Sequence, residues 1–122
     1  MERTYKTWGE KANIFCNDTC EVSILRLKPH QRCSWHKHQT KFNKFYVLDG
    51  ILDIKTEWGT TEVLPGQIFT TGPGEMHEFR TRHLDTLAIE VMYVNYDSDD
   101  IDRDMEKWGG PIPKNERVKN AG

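Results

Sequence analysis

Turn-forming pairs break this chain at short and nearly even intervals. Asp49-Gly50, Trp58-Gly59, Pro65-Gly66 and Gly72-Pro73-Gly74 each mark a reversal, because glycine supplies positive φ and proline presets its own. Between them lie brief half-apolar runs: Phe45 to Leu48, Ile51 to Glu57, Thr60 to Leu64 and Gln67 to Thr71. Val22 to Lys28, stopped by Pro29, Met76 to Arg80 and Thr86 to Val94 have the same character. None carries a sustained helical period from about Asn13 to Tyr96, and β-branched and aromatic residues recur. The pattern predicts an all-β sandwich or barrel, with Asp49-Gly50 as a tight hairpin turn.

A chain of 122 residues has room for one core. Only 36% of it is hydrophobic, yet four Trp, four Tyr and five Phe supply bulky core material, so disorder is not expected for most of its length. Lys and Arg number 17 against 19 Asp and Glu, a formal charge of -2, and no long basic block interrupts the balance. That excludes the electrostatic footprint of a nucleic-acid binder and points to a small-molecule or protein partner. No apolar run approaches the roughly 20 residues of a membrane span, and the opening Met-Glu-Arg-Thr-Tyr-Lys lacks the apolar stretch of a signal peptide. A cytoplasmic protein is expected. Cys16, Cys20 and Cys33 are an odd number without framework spacing, which fits reduced thiols.

Past Tyr96 the composition turns acidic, and Asp99 to Lys107 is expected to form a short C-terminal helix with negative charge at its N-terminus. From Pro111 the chain is rich in Pro, Lys, Asn and Gly, which divides it into a domain over 1–110 and a flexible tail over 111–122.

Two of the five histidines, His36 and His38, stand two apart. On a strand such residues share a face, so both imidazoles project into one space, as a bidentate metal site requires. His77 opens another expected strand and supplies a third imidazole, the commonest protein ligand for divalent transition metals.

The spacing around these histidines resembles the two cupin motifs. His36-Lys37-His38, four residues, Asn43, six residues and Gly50 parallel the first motif, His-x-His, three or four residues, Glu, six residues, Gly. Gly66, five residues, Gly72-Pro73-Gly74, two residues and His77 parallel the second. The resemblance implies a cupin double-stranded β-helix, a jelly-roll barrel, holding one divalent ion (Zn, Mn, Fe, Ni or Co) on His36, His38, His77 and the residue at position 43. Asn43 stands where the family has glutamate, and an amide oxygen is a neutral and weaker donor, so a more electropositive metal with lower affinity is expected.

Further short matches resemble the cupin domain of type II mannose-6-phosphate isomerases. They are Trp8-Gly9, Lys28-Pro29, Ile89-Glu90-Val91, Asp99-Asp100-Ile101-Asp102-Arg103 and Trp108-Gly109, in that order. The family's central Gln-x-His-x-His-Arg-x-Glu-His-Trp is altered: Ser34 replaces the glutamine, Gln39 the arginine and Asn43 the glutamate, with two extra residues between. Isomerisation needs a base and a cation or metal, so these losses leave open whether the chain is an enzyme. Glu90 and Arg103 are second-tier catalytic candidates. Glu90 alternates with Leu87, Ile89 and Val91, which are expected to face the core, so Glu90 is expected at the solvent face or the barrel mouth.

The resemblance implies a metal-binding small cupin acting on or binding a small polar metabolite such as a sugar or sugar phosphate, with the metal as Lewis acid. The alternatives are a three-histidine Fe(II) dioxygenase and a non-catalytic sensory cupin. A homodimer is expected, with Tyr5 to Phe15 a candidate for strand exchange.

Overall fold

The computed structural model describes residues 2–94 and 110–118. The expected helix at Asp99 to Lys107, the Trp108-Gly109 match and Arg103 lie outside the described residues. Nine strands lie among the described residues: β1 (Glu2–Lys6), β2 (Gly9–Cys16), β3 (Cys20–Leu27), β4 (Phe42–Asp49), β5 (Leu52–Thr56), β6 (Gly59–Val63), β7 (Ile68–Thr71), β8 (His77–Thr81) and β9 (Thr86–Tyr93). They form a six-stranded sheet ordered β1-β2-β3-β9-β4-β7 and a three-stranded sheet ordered β6-β5-β8, with every pairing antiparallel. The all-β jelly-roll expectation holds. Among the described residues no helix is long and apolar enough to cross a membrane.

Period-two alternation builds the core between the sheets. Leu25 and Leu27 of β3, Phe45 and Val47 of β4 and Ala88 of β9 face Leu52 and Ile54 of β5, Val63 of β6 and Phe79 of β8. Trp8 closes this layer by packing edge-on against Phe79, ring centroids 5.1 Å apart. Within this chain the segment Tyr5 to Phe15 takes part in the β1–β2 hairpin and the β2–β3 ladder.

Two expectations need correction. Asp49-Gly50 is not a hairpin turn: β4 and β5 belong to different sheets, and the pair is a corner that carries the chain from one layer to the other. Gly50 is required there, since its φ is +83° and a Cβ would stand 2.5 Å from the Asp85 carbonyl oxygen. The phase of β9 is also reversed. Thr86, Ala88 and Glu90 point inward, whereas Leu87, Ile89 and Val91 lie half-buried on the outer face. There Ala12, Ile24, Ile89, Tyr46 and Ile68 form one cross-strand row and shelter one another.

Candidate metal centre

The stretch 30–38 runs beside β8 but makes only two isolated bridges to it, Arg32 with Arg80 and His36 with His77. It is therefore an irregular fourth member of the smaller sheet rather than the regular strand expected. His36 and His77 exchange both backbone bonds, at 3.1 and 2.8 Å, which sets their side chains directly opposite each other. His38 follows two residues later on the same side, and the Gly74 N–H donates to its carbonyl at 2.8 Å. Ring centroids of the three imidazoles are 4.5 to 5.4 Å apart, and one ring nitrogen from each lies within 4.8 Å of the others.

Neighbouring carbonyls fix the tautomers. His36 Nδ1 lies 2.7 Å from the Ser34 carbonyl oxygen and His77 Nδ1 lies 3.0 Å from that of Glu75. A carbonyl only accepts, so each Nδ1 carries the proton and each Nε2 keeps its lone pair, the arrangement that orients a metal-binding histidine. Burial holds the pKa of His38 below the ordinary histidine value, and the His36 and His77 imidazoles push the same way. Burial also lowers His77, outweighing its bond to Glu75. Both are thus neutral near pH 7. Among the described residues, two buried side-chain polar atoms lack any partner: His38 Nε2 and Asn43 Oδ1. An orphaned buried nitrogen beside two imidazoles whose Nε2 atoms are unprotonated is what a divalent ion with nitrogen preference would satisfy, so the residues fit a metal.

Asn43, fully buried on β4, sits in the same cluster with its Nδ2 3.5 Å from His77 Nε2. That amide also donates to Glu90 Oε2 at 3.3 Å. Glu90 is 8% exposed, on the inner face of β9, which replaces the solvent-facing option with a place in the site. Its other oxygen, Oε1, is 3.2 Å from Lys11 Nζ. Burial lowers the Lys11 pKa, but Glu90 and Glu21 together outweigh it and the net shift is upward. Lys11 carries no sign of this role in the sequence, because it meets Glu90 only through the β2-β3-β9 order.

A cavity of about 560 Å³ opens over these groups, lined by Lys6, Lys11, Arg32, His36, His38 and Glu90 among others. A larger one, about 650 Å³, lies around Gly9, Arg26, Asp49 and Asp85 and holds none of the histidines. The chemistry places the site in the first. Cys33 borders it too, but Cys16, Cys20 and Cys33 are all free thiols and Cys33 is held by the Phe79 N–H at 3.2 Å. His30 and His83 lie away from the cluster, beside the turn and charged residues that flank them in the sequence.

A two-layer antiparallel jelly roll on which three imidazoles converge is a β-sandwich with a side-chain group that could hold a metal ion. The cupin domain family model matches residues 23–93, and the chain belongs to the cupin family. No curated protein matches the chain. Among solved structures it is similar to KdgF from a Halomonas species, with 15% identity over 80% of this chain and 89% of that one at a TM-score of 0.70. It is also similar to a predicted oxalate decarboxylase from Thermotoga maritima, with 20% identity over 77% and 91% at 0.69. A sugar phosphate isomerase of the cupin superfamily from Silicibacter pomeroyi aligns at 17% identity over 71% and 59%, TM-score 0.60. At these identities the likeness is one of fold.

Proposed function

We propose that this chain is a single-domain metal cupin in which His36, His38 and His77 hold one divalent transition-metal ion, with Asn43 as a fourth, neutral donor, to receive a small polar metabolite such as a sugar or sugar phosphate. The convergence of three ring nitrogens within 4.8 Å carries this reading. When bound, a divalent ion supplies Lewis-acid polarisation of a ligand oxygen. The protein's own groups do the rest. Cys33, Trp8 and Phe79 form the apolar wall behind the imidazoles. Lys6 and Arg32, which have no carboxylate within salt-bridge distance among the described residues, offer positive charge to an anionic substituent at the mouth. The same reading takes 1–110 as the cupin domain and 111–122 as its tail, in a cytoplasmic homodimer. Isomerase-like chemistry is part of the same reading, and a structure described as a sugar phosphate isomerase shares the fold.

Elemental analysis of the purified protein tests the reading: about one transition-metal ion per chain is expected, and none after His77→Ala in a protein that keeps its β-sheet circular dichroism. Full occupancy in that variant would overturn the ligand set. Mannose-6-phosphate isomerase activity is expected to be weak or absent, since Gln39 and Asn43 replace the family's arginine and glutamate. Turnover above about 1 per second in a coupled assay with Zn, Mn, Co or Ni would contradict this. Substrate-dependent oxygen uptake by the iron-loaded protein would instead favour the dioxygenase alternative, which the all-neutral nitrogen donor set also suits.

A further inference from the structure

We propose that Glu90 is the charge-compensating carboxylate of this site, acting on a bound cation through the Asn43 amide, and that Lys11 holds it in place while opposing it electrostatically. The inference rests on the metal reading above. Three neutral imidazoles leave a divalent ion with its whole charge in a half-enclosed cavity, an unfavourable state that sites of this kind relieve with a nearby carboxylate. The position on β4 that faces the histidines is occupied by Asn43, which is neutral. The carboxylate comes instead from the adjacent strand, one side chain further back.

The geometry divides Glu90 between two partners. Oε2 accepts from Asn43 Nδ2 at 3.3 Å, and Oε1 faces Lys11 Nζ at 3.2 Å. A carboxylate accepts and does not donate, so it selects one orientation of the Asn43 amide: the NH2 turns to Glu90 and Oδ1 is the end left over. That Oδ1 is buried and has no partner, and neither has the buried His38 Nε2. The same Nδ2 lies 3.5 Å from His77 Nε2, so the Asn43 amide links the Glu90 carboxylate directly to the histidine cluster. Lys11 is shared with Glu21 at 3.5 Å, and Asn13 Nδ2 donates to Glu21 Oε1 at 3.2 Å. The network thus runs from His77 across β4, β9, β3 and β2. With 8% exposure Glu90 is screened little by water, so its charge is felt across the one intervening amide.

The test is competitive chelator titration of Zn and Co at pH 7.5 on the full chain, with the visible spectrum of the Co form as a second readout. Glu90→Gln is expected to weaken binding about 10- to 100-fold and to shift the Co spectrum, while Glu90→Asp stays within about fivefold of wild type. The exchange Asn43→Glu with Glu90→Gln moves the charge without removing it and is expected to restore wild-type affinity or better. A purely structural Glu90 would make that double variant worse than either single one. Binding by Glu90→Gln within twofold of wild type, or an exchange variant no better than Glu90→Gln, would overturn the proposal. If Glu90→Gln does not fold, Lys11→Met decides, because removing the opposing ammonium is expected to tighten binding a few-fold, and unchanged or weaker binding would overturn it. Wild-type protein that holds no metal at all would sink the metal reading and this proposal with it. Wild-type protein that holds metal beside an unmoved Glu90→Gln sinks the proposal alone.

Discussion

His36, His38, Asn43 and His77 are legible in the linear sequence because each is tied to a fixed neighbour there: a two-residue step, a turn, a proline-glycine pair. Glu90 is visible as a letter in Ile89-Glu90-Val91, but its direction is not. Alternation says only that Glu90 and Ile89 point opposite ways, and which way is inward depends on what the facing sheet offers. Here the inner face accepts the small Ala88 against Val47 and Leu25, and at the open end accepts a carboxylate because Asn43 and Lys11 satisfy it. Cys33 shows the same dependence on surroundings. Burial pushes its thiol up to about 11, and Phe79 N–H occupies its sulfur. At pH 8 a thiol reagent is expected to modify the exposed Cys16 and the half-buried Cys20 in the native protein, and to reach Cys33 about 100-fold more slowly, releasing the third equivalent only on unfolding. Three equivalents of equal rate would show that the cavity admits the reagent and that Cys33 is not shielded.

Turn chemistry locates β3 to β9 well, because each boundary is marked by a residue with a conformational reason to be there. It locates β1 and β2 poorly. All five β1 residues are exposed, so no apolar face records it, and β2 is shifted in register between Asn13 and Phe15, which scrambles alternation. Nor does a turn pair announce whether it reverses within one sheet or crosses to the other, since that is decided by what packs beyond it. Gly50 and Gly66 separate the two ingredients. Both have positive φ, +83° and +86°, but a Cβ on Gly50 would collide with Thr86 Oγ1 and the Asp85 carbonyl, whereas one on Gly66 meets nothing within 4 Å. Gly66→Ala is expected to cost about 1 kcal/mol and Gly50→Ala about 3 kcal/mol or more in urea unfolding, the difference being the collision at the corner. Equal losses would mean that β9 yields to make room.

For the molecule as a whole, the histidine cluster ties stability to pH. His38 and His77 have pKa values lowered in the fold, by burial first. The unfolded chain therefore takes up protons at these positions, near pH 6.5, before the folded protein does. The metal-free protein is expected to lose stability as pH falls from about 6.5 through the depressed folded values, and to level off below them. His77→Ala should make that profile shallower; an unchanged slope in thermal melts from pH 7 to pH 5 would place the titration elsewhere. The way the stretch 30–38 is attached has a mechanical consequence as well. It hangs on β8 by bridges at Arg32 and His36 rather than by a continuous ladder, and His36 and His77 are about 40 residues apart along the chain. An ion gripped by both would close a loop of that length, and loops so closed remove freedom mainly from the unfolded chain. Such an ion would be a removable cross-link as much as a reagent: withdrawing it would return slack to one seam while both sheets keep their ladders, much as reduction does to a domain stitched by a single disulfide.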